Sequence, residues 1–276
     1  MYPDPNSKSQ ALYNRALQSL PGGNSRTTVF MKPYPIYAAR GEGCRVTDLD
    51  GNVFIDCINN FASLIHGHAH PKLVKAATDQ MMLGSAFGLP TEAEVDLAEL
   101  LASRLGSVDQ VRFANSGTEA VMMALKAARA FTGRPKIAKC EGAYHGSYDY
   151  AEVSLDPTPE AWGRNAPVSV AYAKGTPDNV LADVLTIPFN DPEAAVSLIR
   201  EHGPELACVL VDPMPNRAGL VPADKAYIEA LRAVTREVGA LLIFDEVISF
   251  RLGYRGAQGL WDADPDLTAL GKIMGG

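Results

Sequence analysis

A chain of 276 residues, 47% hydrophobic and 21% charged, has the balance of a globular protein with a substantial buried core. Its formal net charge of -7 gives no broad attraction to phosphate backbones or anionic lipid, which argues against nucleic acid and membrane surfaces and favours small molecules as partners. Cys44, Cys57, Cys140 and Cys208 are scattered without C-x-x-C spacing, against a metal knuckle or a disulfide framework. The N-terminus has neither a basic nor an apolar leader region, so a cytoplasmic protein is expected.

Residues 7–20 place Ala11, Leu12, Ala16, Leu17 and Leu20 at helical spacing until Pro21-Gly22-Gly23 stops the pattern. Between 36 and 58 short β-like pieces around Gly41, Gly43 and Asp50-Gly51 predict a small antiparallel meander outside the main sheet. A helix is predicted over 71–83. Another opens at Thr91 and runs through Leu105, with Glu94 completing a capping-box pattern. Beyond it come apolar runs at 111–114, 137–140, 184–187, 206–211 and 241–244, and helical stretches near 117–131, 191–202 and 224–238 separate several of them. That rhythm predicts βαβ units and a mainly parallel sheet flanked by helices. The fold class is α/β, with a helix-and-meander part over 1–70 and a larger domain over 71–276. Residues 150–180, broken by Pro157, Pro159, Pro167, Gly175 and Pro177, read as a surface excursion.

Ligands of open α/β sheets gather beyond the carboxyl ends of the strands, and three of those ends are chemically unusual. After 111–114 comes Asn115-Ser116-Gly117-Thr118-Glu119-Ala120, a strand-to-helix turn that can aim amides, hydroxyls and the helix dipole at a phosphate. The same residues also form an ordinary capping box between Ser116 and Glu119. The run 241–244 leads into Asp245-Glu246-Val247, where a carboxylate can accept a hydrogen bond from a protonated ring nitrogen, ligate a metal or cap a helix. Finally, Asp266-Leu267-Thr268-Ala269-Leu270-Gly271 ends at Lys272, an amine that becomes a nucleophile toward an aldehyde when desolvated or placed near another cation.

Six motifs in this order resemble the fold-type I, class III aminotransferases that depend on pyridoxal 5'-phosphate (PLP), and most closely the branch of glutamate-1-semialdehyde aminomutase and the β-amino-acid aminotransferases. They are Pro21 to Arg26, His66 to Pro71, Asn115 to Ala120, Gly142-Ala143-Tyr144-His145-Gly146, Phe244 to Val247 and Leu270-Gly271-Lys272. The resemblance implies a three-layer large domain with Lys272 as the Schiff-base lysine and proton shuttle, and with Asp245 on the pyridine nitrogen. It makes Ser116, Gly117 and Thr118 the phosphate cup, and sets Tyr144 and Val247 on the two ring faces with His145 beside the ring. Arg26 matches the position that takes the substrate carboxylate in the β-amino-acid branch, a task suited to its bidentate fork. Ser63 and Asn216 lie in segments that approach the cofactor or substrate in relatives.

By the same resemblance, His66, His68 and His70 lead into the following helix, and no metal site is expected. Asp212-Pro213 stands where relatives usually have Glu-Pro. The expected activity is amino transfer from an amino acid, a β-amino acid included, to an oxo acid, by a homodimer. An intramolecular aminomutase is the alternative, to which Asn24-Ser25-Arg26 and Ser249-Phe250-Arg251-Leu252 are less similar. Relatives continue into a C-terminal domain absent after Gly276, so a further alternative is an inactive fragment or pseudoenzyme that at most binds PLP.

Overall fold

A computed structural model describes residues 2–162 and 166–275, and the chain forms two compact units, Met1–Gly88 and Leu89–Gly276. The helix that follows His70 sorts with the first unit, so the two units part after Gly88, beyond the expected boundary at 70/71.

In the first unit α1 (Lys8–Ala16) is capped by Ser7, whose Oγ accepts from the Gln10 amide at 3.0 Å. It stops short of the predicted residue 20, because Pro21 forces Leu20 into the extended region (φ -123°, ψ 123°). The expected meander is present as β1 (Ala38–Glu42), β2 (Arg45–Asp48) and β3 (Val53–Ile55), antiparallel in sequence order. Asp48 Oδ1 makes its second turn by accepting from the amides of Asp50 at 2.9 Å and Asn52 at 2.8 Å. The turn α2 (Asn59–Ala62) is left-handed, with φ of 54°, 46°, 56° and 68° at successive residues, none of them glycine. Each costs about 1–2 kcal/mol. Asp56 helps to hold the turn, its Oδ1 accepting from the amides of Ile58 and Asn59, both at 2.9 Å. The helix α3 (Pro71–Leu83) begins with proline at its first position, where no amide is needed.

The second unit opens with α4 (Glu92–Arg104). Thr91 is its cap residue, but the Thr91 hydroxyl donates to Glu94 Oε1 at 3.4 Å instead of accepting from a backbone amide, so the predicted capping box is not formed. The helix α5 (Gly117–Thr132) is capped through Ser116 and ends at Gly133 in the left-handed conformation. Then come β4 (Lys136–Cys140), the short α6 (Asp149–Glu152) and α7 (Asp178–Ala182), β5 (Val184–Ile187) and α8 (Pro192–His202). The chain continues through β6 (Leu206–Val211), α9 (Lys225–Val238), β7 (Leu241–Asp245), the one-turn α10 (Gln258–Trp261) and β8 (Leu267–Ala269). The five strands form a parallel sheet in the order β5-β4-β6-β7-β8. Alternate residues of β6 enter two cores: Val209 and Val211 pack with Ile199, Tyr227 and Leu231 of α8 and α9, while Cys208 and Leu210 pack with Val121 and Leu125 of α5. Burial on both faces explains why the central strands read as continuous apolar runs.

One predicted strand is missing. Residues 111–114 take no regular secondary structure, no strand among the described residues pairs with them, and Phe113 is exposed. Apolar composition does not make a strand without a ladder partner.

At the amino edge of the sheet, Arg134 Nη1 donates to the carbonyls of Gly203 (3.2 Å), Leu206 (3.1 Å), Val238 (2.8 Å) and Gly239 (3.1 Å). A single cation thus satisfies the carboxyl ends of α8 and α9, where helix dipoles favour positive charge. Arg134→Ala is expected to lower the unfolding free energy by about 1.5–3 kcal/mol, read as a lower denaturant midpoint at unchanged slope.

Candidate functional site

Three adjacent strands deliver an acid to the carboxyl edge of the sheet. Lys139 pairs with Leu210, and Val211 with Phe244, so Glu141, Asp212 and Asp245 follow β4, β6 and end β7 at one level. Strand alternation turns all three toward the face covered by α5. Burial, then the charge of Asp245, pushes Asp212 up to about 8. Burial likewise raises Glu141.

The neighbouring acids Asp245 and Glu246 divide their work. Asp245 Oδ2 accepts from His145 Nδ1 at 2.8 Å, both side chains being buried, and its Oδ1 accepts from the Val247 amide at 3.0 Å. Burial pushes the His145 imidazole down, against the Asp245 bond that raises it, which favours a neutral ring donating through Nδ1. Its Nε2 is buried without a hydrogen-bond partner among the described residues. Glu246 turns the other way, accepting from the Ala257 amide, the Gln258 amide at 3.0 Å and Gln258 Nε2 at 2.9 Å, and so caps α10. Of the roles open to this acid pair, capping belongs to Glu246.

Glycines bring the three strand ends together. A Cβ on Gly117 would lie 3.2 Å from Val247 Cγ2, and one on Gly271 would lie 3.2 Å from Val247 Cγ1, so Val247 touches both the first residue of α5 and the residue before Lys272. Ser116 Oγ accepts from the Glu119 amide at 3.2 Å, and Glu119 Oε2 accepts from the Asn115 amide at 2.7 Å. This leaves the amides of Gly117 and Thr118 as first-turn donors with no intrahelical acceptor. Thr118 Oγ1 accepts from the Ser147 amide at 3.2 Å, docking the loop of Tyr144 and His145 on α5. Gly146 fits there only as glycine: its φ is +89°, and a Cβ would fall 2.7 Å from Thr118 Cα. Gly146→Ala is therefore expected to cost about 1–3 kcal/mol of unfolding free energy in chemical denaturation, through strain and displacement of this loop.

Tyr144 is 40% exposed at the same loop. Lys272 holds a left-handed backbone, φ 49°, in the turn after β8. Ser116, Gly117, Thr118, His145, Asp245, Val247 and Lys272 therefore converge at one edge of one sheet. Arg26 belongs to the first unit, where its Nη1 donates to Asn60 Oδ1 at 2.9 Å and its guanidinium lies 5.2 Å from the centre of the Phe61 ring. Ser63 is buried there, its Oγ donating to Asn60 O at 3.0 Å. Asn216 begins a short turn after β6. Of the histidines in the His66–His70 run, His68 pairs through Nε2 with Asp56 Oδ2 at 2.7 Å, whereas the rings of His66 and His70 meet at a tilt, 5.1 Å between centres.

Sequence reasoning passed over Lys139, a lysine with no exposed surface, although its place inside an apolar strand was a visible signal. It also did not foresee that His145 and Asp245, a hundred residues apart, would pair.

Comparison with known proteins agrees with this geometry. The class-III aminotransferase family model matches residues 28–276. Glutamate-1-semialdehyde 2,1-aminomutase of Methanothermobacter thermautotrophicus is 44% identical over 98% of this chain, which spans 62% of that relative's length. Among solved structures, an omega-transaminase from Sphaerobacter thermophilus is similar at 52% identity and a TM-score of 0.95, covering 99% of this chain and 62% of its own. A beta-phenylalanine aminotransferase from Variovorax paradoxus is similar at 36% identity and a TM-score of 0.84, with 98% and 58% covered. The sheet edge with its converging glycines, acids and lysine, and the match along nine-tenths of the sequence, lead to one conclusion: the chain belongs to the class-III aminotransferase family.

Proposed function

We propose that this chain carries the PLP site of an aminotransferase that moves an amino group from an amino acid, β-amino acids included, to an oxo acid. The observation that supports it most is Val247 in contact with both Gly117 and Gly271 beside the buried His145–Asp245 pair. Val247 fills the space a Cβ would take at either glycine, which holds the start of α5, whose first amides want an anion, against the turn that carries Lys272. When bound, PLP supplies an electron-withdrawing ring whose protonated nitrogen stabilises charge developing at the substrate carbon.

In this reading Asp245 holds the ring nitrogen, and Ser116, Gly117 and Thr118 hold the phosphate. Tyr144 and Val247 cover the ring faces. Neutral His145 orients the Asp245 carboxylate by donating to it without neutralising it. Lys272 Nζ would hold the aldehyde of PLP, and the same amine is placed to serve as the proton carrier. Arg26 takes the substrate carboxylate, and Asn60 and Phe61, on strained left-handed backbone, preset its guanidinium. The whole protein acts as a homodimer in the cytoplasm.

The second reading, an intramolecular aminomutase, draws on the names of the curated relatives. The transaminase reading draws on the higher identity to the omega-transaminase structure. Titration of the purified chain with PLP, borohydride reduction and peptide mapping should place a label on Lys272. Turnover of an amine donor that requires an added oxo acid supports transamination, and turnover of a single amino compound without one supports the mutase. Label without turnover of any donor would identify a chain that binds PLP only. No label on folded protein would sink the cofactor reading.

A further inference from the structure

We propose that Lys139 is a positioning residue for the loop of Tyr144 and His145: its buried ammonium ties the carbonyls that bracket this loop and sets a positive charge beneath the acids of the sheet edge. Its purpose rests on the PLP reading above, but the clamp itself is a property of this chain.

Lys139 is the last but one residue of β4 and has no exposed surface, on the same sheet face as Ile137, Leu210 and Ile243. A cation there costs several kcal/mol unless it finds partners. Its Nζ donates to Cys140 O at 3.0 Å and to Val153 O at 2.7 Å. Those carbonyls stand at the two ends of the segment that carries Tyr144, His145 and Gly146. The closure is continued by the Gly142 amide, which donates to Ser154 O at 2.8 Å, and by the Ser154 amide, which donates to Val170 O at 2.9 Å. The loop is thus pinned below by Lys139 and above by Thr118.

The charge has a second consequence. Glu141 lies two residues beyond Lys139 on the same strand face, roughly 7 Å along the chain, and Asp212 and Asp245 stand at the same level on the next strands. Burial pushes Lys139 down to about 8, with the nearby Glu141 opposing the fall. After burial, which contributes most, the Lys139 charge also helps to hold His145 neutral. A cation at this place favours an ionised Glu141 and disfavours an imidazolium at His145.

The test uses the full chain without cofactor and two variants. Lys139→Met fills a similar volume without donors or charge, and Lys139→Gln keeps donors without charge. Amide hydrogen exchange should show protection at Gly142 and Ser154 falling about tenfold or more in Lys139→Met relative to the amides of β6, with smaller losses in Lys139→Gln. NMR titration of the His145 ring should show its midpoint moving upward in both variants. If protection stays within about twofold of the parent and the His145 midpoint does not move, the proposal is wrong. Should Lys139→Met fail to fold, Lys139→Gln alone decides through the His145 shift and the exchange at Gly142. A parent chain that takes up no PLP would overturn the proposed function while leaving both readouts intact, so the two failures are separable.

Discussion

Lys272→Ala is expected to abolish the borohydride-stable PLP adduct and to lower amine turnover by about 10³-fold or more, since one amine serves both as the attachment point and as the proton carrier. The site geometry makes this loss separable from folding. Gly271 packs on Val247 and Lys272 follows it in left-handed backbone, φ 49°, so alanine inherits the strain of the lysine it replaces. Lys272→Gly, equally without an amine, should remove that strain and unfold with about 1 kcal/mol more stability than Lys272→Ala. Absorbance with PLP and denaturant midpoints of the two variants provide the check. Equal midpoints would mean that the left-handed backbone carries no strain, and turnover surviving in either variant would remove Lys272 from the chemistry.

The strand that the sequence disclosed most sharply is the one whose burial is complete. Leu206–Val211 was legible to the residue, because a parallel strand covered on both faces must be apolar throughout; the edge strand Val184–Ile187 was legible too, although Leu185 is half-buried and Thr186 polar. Residues 111–114 carry the same signature and still form no ladder, since pairing depends on a partner elsewhere in the chain. The left-handed turn at Asn59–Ala62 was invisible because it contains no glycine, and what holds it is Asp56, which accepts from the amides of Ile58 and Asn59, rather than any turn-forming dipeptide. Thr91 and Glu94 show the limit of motif reading: the pair meets, but through the two side chains.

In the site the same division holds. The residues of the PLP motifs could be named from their order along the chain, and their convergence at one sheet edge follows from the parallel topology. What joins them could not be read, because it consists of contacts between distant segments: Val247 against two glycines, His145 on Asp245, Thr118 beneath Gly146. Lys139 was missed for a related reason. A lysine is ordinarily a surface charge, and only the carbonyls of Cys140 and Val153 make its burial tolerable.

Asp245→Asn isolates the charge at the centre of this arrangement. Asparagine keeps the shape and one acceptor for His145 Nδ1, but it cannot hold a protonated ring nitrogen as an ion pair in a buried setting. Turnover is expected to fall by about 10²–10⁴-fold while the label on Lys272 persists, because attachment does not need the ring charge. The substitution has an independent signature at Asp212, which burial first and the Asp245 charge second push up to about 8. Removing a neighbouring negative charge favours ionisation, so Asp212 should titrate below that value in the variant. The stability consequence has a definite sign. An acid at about 3.9 in the unfolded chain and about 8 in the folded one contributes its full stability below the lower value and loses it as pH rises toward the upper. The parent should therefore weaken between about pH 4 and pH 8, whereas in Asp245→Asn the loss should end at lower pH and be smaller. Denaturant unfolding of both proteins at pH 5 and pH 8 measures the difference, and an equal drop in the two would show that Asp245 does not act on Asp212.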